Sequence, residues 1–170
     1  MNLMLDTRRA TEDEAPSPIL RIPRTTHEAE LARLTRQYAP FAGSPRNALN
    51  LLVGLRTGST ITLQQDDGRE FSFTPPATPF GWSHIQRILN LARSGLASFD
   101  IDRPKPIHIA IALMGGTLLF SNASVELPGI VRLHRAGVPW TRIAHTFVRA
   151  ANTSAPTKLQ MRAVAAVDIP

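Results

Sequence analysis

PFGWSHIQRILNLARSGLASFDIDRPKPIHIAIALMGGTLLF, residues 79–120, decides how the chain is read. Its first half predicts a helix over Trp82–Leu96. Ile85, Ile88, Leu89, Leu91, Ala92 and Leu96 form a broad apolar face, with Gln86, Arg87, Asn90 and Arg93 opposite. Ser83 is a suitable N-cap and Gly95 lies near the end. A polar break, Asp100–Pro106, follows. In Ile107–Met114 the β-branched and large residues Ile107, Ile109, Ile111 and Leu113 alternate with His108, Ala110, Ala112 and Met114. That alternation predicts a central strand, with Gly115-Gly116 turning it back into a paired strand over Thr117–Phe120.

On the N-terminal side, the hairpin signal Asp66-Asp67-Gly68 joins Thr60–Gln65 to Arg69–Phe73. A further strand is expected over Ala48–Arg56, where Leu49, Leu51, Val53 and Leu55 alternate, and a helix over Thr26–Tyr38, stopped by Pro40, Gly43 and Pro45. Residues 1–25 carry clustered acids and Pro16, Pro18 and Pro23 without apolar periodicity. They read as a flexible, proline-containing arm, either a partner-recruiting segment around Ala15-Pro16-Ser17-Pro18 or an ordinary frayed terminus. Downstream, Val125–Leu127 suits a short strand, and Ile130–Ala136 and Trp140–Ala151 suit helices separated by Gly137 and Pro139. Asn152–Pro156 should break the chain before a terminal strand, Lys158–Ile169. The expected fold is α+β in one domain over 26–170: an antiparallel sheet packed with a long central helix and a C-terminal helix.

With 170 residues and 43% apolar content the chain can build a real core, and it contains no cysteine for disulfides or thiolate zinc sites. No run of 18 uncharged apolar residues exists to span a membrane, and Met1–Leu5 is too soon interrupted by charge to act as a secretory signal. The net charge is +6, and its placement is uneven. Residues 1–102 hold 11 basic and 11 acidic side chains; residues 103–170 hold 8 and 2. The surplus therefore belongs to Arg103, Lys105, Arg132, Arg135, Arg142, Arg149, Lys158 and Arg162. These eight are the candidate contacts to phosphate, in nucleic acid or lipid headgroups. The alternative is a basic solvated face with no partner.

Catalytic signatures are absent. There is no His-Glu-x-x-His, no Gly-x-Ser-x-Gly and no phosphate-gripping glycine loop. Asp66 and Asp67 fit a turn better than a metal site, and the five histidines read as structural. No catalytic residue, metal or cofactor is expected, and the chain is expected not to be an enzyme.

Two functional readings follow. Ile130–Ala144 is similar to the first helix and turn of helix-turn-helix regulators, with residues 130–162 as the DNA-binding unit and Thr153–Arg162 as its recognition helix. The second reading uses Gly81-Trp82-Ser83, Arg87-Ile88-Leu89, Arg103-Pro104 and the run Ile107–Gly116, within the order arm, helix, sheet, long helix, apolar strand, late helix, closing strand. That pattern covers about half of the chain and resembles the matrix proteins of rhabdoviruses. The Pro-Pro-x-Tyr motif of many family arms is missing, and the chain is short and lysine-poor beside them. The resemblance implies a viral structural protein that self-associates and bridges the nucleocapsid and its RNA to an anionic membrane surface during assembly and budding. It would lie in the virion beneath the envelope, and in the host cytoplasm at the inner membrane face.

Overall fold

The structure, a computed structural model, describes residues 26–76, 79–121 and 123–164, with 154–164 as helix backbone only. The arm expected over 1–25 and the end of the expected terminal strand, 165–169, lie outside the described residues. The fold is α+β. In order, its elements are α1 (Thr26–Ala42), α2 (Pro45–Thr57), β1 (Ile61–Gln64), β2 (Glu70–Phe73), α3 (Trp82–Ala97), α4 (Pro106–Met114), β3 (Gly116–Leu119), β4 (Ser124–Leu127), α5 (Ile130–Arg135) and α6 (Trp140–Val164). The expected single sheet is two separate antiparallel hairpins, β1–β2 and β3–β4.

Two expected strands are helices. α2 replaces the strand over Ala48–Arg56. Its buried face is Ala48, Leu51, Leu52 and Leu55, the i, i+3, i+4, i+7 set of a helix, while Leu49 and Val53 stand about 40% exposed. Its ends carry helix chemistry. Ser44 Oγ accepts the Asn47 N–H at 3.1 Å, Pro45 occupies the first turn, and Gly58 closes the helix at φ 72°. α4 replaces the strand over Ile107–Met114. Pro106 starts it, Pro106, Ile109, Ala110 and Leu113 are buried, and the Gly115 N–H donates to Ile111 O at 2.8 Å. Gly115 is therefore a helix stop and not half of a hairpin turn. A Cβ there would meet Leu127 O and Pro128 O at about 3 Å, so only glycine lets α4 end against β4. β3 pairs instead with β4, Leu118 opposite Val125.

Other elements keep their expected type and shift at their ends. α1 continues through Pro40 to Ala42, because a proline in the last turn forfeits one hydrogen bond and leaves the helix standing. α3 starts from Gly81, not Ser83, as N-cap. It ends in a Schellman pair, with Ile101 N–H to Leu96 O and Asp100 N–H to Ala97 O, and Asp100 takes φ 60°. The expected break at Asn152–Pro156 and the strand from Lys158 are overturned: α6 is helical through Val164.

One apolar core joins α1 to α6 among the described residues, with Leu34, Tyr38, Leu51, Leu55, Ile61, Ile88, Leu89, Leu113, Val131, Ile143 and Phe147 inside it. α3 is its axis. The Tyr38 hydroxyl lies 3.2 Å from Gln86 O and 3.1 Å from Asn90 Oδ1, tying α1 to α3. Asn47 ties α2 to β1: its amide N–H groups donate to Ala42 O and Gln64 O, and its Oδ1 accepts the Gln64 N–H.

Candidate functional site

Of the eight expected cations, the six with described side chains lie on three different parts of the fold. Arg103 and Lys105 sit on the α3–α4 loop, beside the α1–α2 corner and the β1–β2 turn. Arg132 and Arg135 lie on α5, and Arg142 and Arg149 on α6; all six are exposed. Lys158 and Arg162 lie on the α6 backbone, among residues whose side chains are not described.

The α5–α6 group is built by a sharp connection. After Arg135 the Gly137 N–H donates to His134 O and the Val138 N–H to Leu133 O, a Schellman motif that requires φ 79° at Gly137. α6 then starts at Trp140. It buries Ile143 and Phe147, which leaves Arg142, His145, Arg149 and Asn152 exposed on the other side. Their spacing of three, four and three residues makes a single stripe. The two arginines are seven residues apart, a rise of about 10 Å along the axis. The Thr146 and Thr153 hydroxyls donate back to Arg142 O and Arg149 O at 2.9 Å.

Residue reading did not foresee what pins this unit to α3. The His134 ring stacks on Trp140 with centroids 4.0 Å apart and an interplanar angle of 22°. His84, at the start of α3, stands 5.5 Å from His134 and 6.1 Å from Trp140, and Phe80 stands 6.1 Å from His134. Burial, and then the neighbouring His84, hold the His134 imidazole below the ordinary histidine range. These residues are 50 positions apart in the chain, and no spacing rule relates them. A second ring pair closes the other side of α3, where Trp82 Nε1–H donates to His27 Nδ1 at 3.3 Å and the Arg56 guanidinium lies 5.5 Å over the Trp82 ring.

Among the described residues, Glu30 of α1 and Asp67 and Glu70 of the first hairpin are paired with arginines. Arg69 holds Asp67 through its N–H at 3.0 Å and its Nε at 2.7 Å, and this pairing keeps the Asp67 carboxyl below the usual range. Arg46 faces Glu70 at 3.6 Å, and Arg33 faces Glu30 at 2.7 Å. No group of three or more potential metal ligands occurs among the described residues. No helix of the described residues is long and apolar enough to cross a membrane. What the α5–α6 face can do chemically is present guanidinium, imidazole and amide donors to a row of phosphates. Comparison with protein-family models, with curated proteins and with solved structures found no match.

Proposed function

We propose that this chain is a non-enzymatic structural protein of the viral matrix type, docking on phosphate-bearing surfaces through α5 and α6. The observation that carries the proposal is the exposed stripe Arg142, His145, Arg149 and Asn152 on α6, with Arg132 and Arg135 exposed on the preceding α5. The apolar side of α6 is occupied by core packing through Ile143 and Phe147. Among the described residues of α6, Val148 is the exposed large apolar side chain and no helix is long and apolar enough to span a bilayer, so in this reading contact with a membrane is peripheral and by charge. In this role the chain self-associates and bridges nucleocapsid RNA to an anionic membrane at the inner face of an envelope. Of the features behind the resemblance, the helix entry at Gly81-Trp82-Ser83 keeps its form. The apolar strand and the closing strand do not, so the proposal rests on charge placement.

One observation favours a second reading, a DNA-binding regulator. α5 and α6 follow each other across the short connection 136–139, as in a helix-turn-helix. α6 itself, rather than a separate helix over 153–162, would then meet double-stranded DNA. Co-sedimentation with anionic vesicles and with RNA across a salt series, beside gel shifts on duplex DNA, tests both readings. The matrix-type reading expects binding to both vesicles and RNA that weakens with salt and falls strongly in R142Q/R149Q. Salt-insensitive binding, or none, overturns it. Discrete, sequence-specific duplex sites would give the regulator the better case.

A further inference from the structure

The structure assigns a second anion site, separate from the α5–α6 face: a cleft of about 550 Å³ where the α1–α2 corner, the end of β1 and the α3–α4 loop meet, suited to a compact phosphate or phosphate monoester. Arg103 and Lys105 line it, together with Ser44, Gln64, Gln65 and Asp66.

The loop that carries the cations is built to present them together. In Arg103-Pro104-Lys105-Pro106 both prolines are buried and both cations are exposed. Lys105 is extended at φ −72° and ψ 159°, and the cations on either side of Pro104 both line the cleft. Proline fixes φ at both buried positions, which keeps the loop in shape before any ligand arrives. His108 Nδ1 accepts the Lys105 N–H at 3.3 Å and anchors the loop to α4.

The charges around the cleft leave a cationic excess. Asp67 is engaged by Arg69 and Glu70 faces Arg46, so Asp66 is the lining carboxylate set against Arg103 and Lys105. The N-cap residues of two helices, Ser44 of α2 and Lys105 of α4, also line the cleft. Each helix start contributes roughly half a positive charge. The sum suits a dianion better than a neutral molecule. A cleft of this size matches a ligand up to mononucleotide scale and is too confined to track a polymer. Asn47 spends its amide on Ala42 and Gln64, so it shapes the wall and leaves recognition to its neighbours. The Ser44 hydroxyl accepts the Asn47 N–H and keeps its own proton to donate.

The test is calorimetric titration of the intact chain with inorganic phosphate and with adenosine monophosphate, at ionic strength matched by sodium chloride. Flotation with phosphatidic acid vesicles forms a third arm. Saturable binding of free phosphate or of the monophosphate is expected. It should weaken about tenfold or more in R103Q/K105Q, and also, by less, in R103Q alone. It should stay unchanged in R142Q/R149Q, which separates this site from the α5–α6 face. These cations are exposed, so thermal unfolding of each variant in sodium chloride should match the parent. Absence of saturable binding overturns the site. So does equal affinity in R103Q/K105Q, loss in R142Q/R149Q, or binding to vesicles without binding to either free ligand.

Discussion

The α1–α2–β1 corner and the joint between α3 and α6 are each closed by a glycine inside a helix, and they are locked by different chemistry. In the corner, a Cβ at Gly54 would run into the Ile61 side chain. There buried Asn47 fixes the close approach of α2 and β1 with two hydrogen bonds to Gln64, and holds the end of α1 with a third to Ala42 O. At the joint, a Cβ at Gly95 would lie 2.5 Å from the Phe147 ring. There α6 is held by apolar burial and by the Trp140–His134–His84 rings, with no buried amide pin among the described residues. A hydrogen-bonded pin is directional and has one correct register, whereas apolar burial carries no such directionality. The corner therefore frames a preshaped cleft, and the joint holds a helix whose working side faces solvent.

The largest way to break this contrast is Phe147→Ala. Emptying a site that is 2% exposed should cost about 3–5 kcal/mol and loosen α6 from α3. Denaturant unfolding measures the cost, and faster amide exchange in α6 than in α2 should accompany it. Uniform exchange across both helices would show that α6 belongs to the same cooperative unit as the corner. Next is Asn47→Ala, which leaves Gln64 N–H and two carbonyls without their partner. A loss of about 2–3 kcal/mol is expected, together with weaker phosphate binding at the cleft and undisturbed polyanion binding at α6. A loss under about 0.5 kcal/mol would mean that water replaces the pin.

The smallest effect is a pH dependence at the joint. Burial and then His84 hold His134 down; burial and then Lys105 hold His108 down. A histidine depressed in the folded state binds its proton more readily when unfolded. Its stabilising share is complete above the unfolded pKa and is lost as pH falls through that value toward the folded one. The melting midpoint should therefore decline from about pH 7.5 to about pH 5. His134→Phe, which keeps an aromatic ring against Trp140, should flatten part of that decline. An identical profile in the variant would assign the titration elsewhere.

The legible parts of the fold were those with a local cause. Asp67-Gly68 made the first hairpin readable because only a positive φ, here 83° at Gly68, closes so tight a turn. α3 was readable because Ile85, Ile88, Leu89, Ala92 and Leu96 repeat at helical spacing over about three turns. α5 and the start of α6 were readable from Gly137. α2 was misread although Ser44-Pro45 and Gly58 signal its ends. Its leucines satisfy both a two-residue and a 3.6-residue period, and leucine and alanine favour helix. α4 was misread because its alternation of β-branched and small residues lies in a run that is apolar at nearly every position, where a two-residue period does not exclude a buried helix.

By itself, then, the sequence determined the α+β class, the first hairpin, the axis helix and the charge surplus after residue 102, because each is written in local spacing or in composition. Tertiary structure decided the rest. Ile107–Met114 became a helix because it packs on α3 and α5, while Gly115 and Gly129 let the chain close tightly enough for β3 to take β4 as its partner. The division of the cations into a cleft pair and a helix stripe was decided there too. Charge along a chain has no direction until folding turns Arg103 and Lys105 toward one surface and Arg142 and Arg149 toward another.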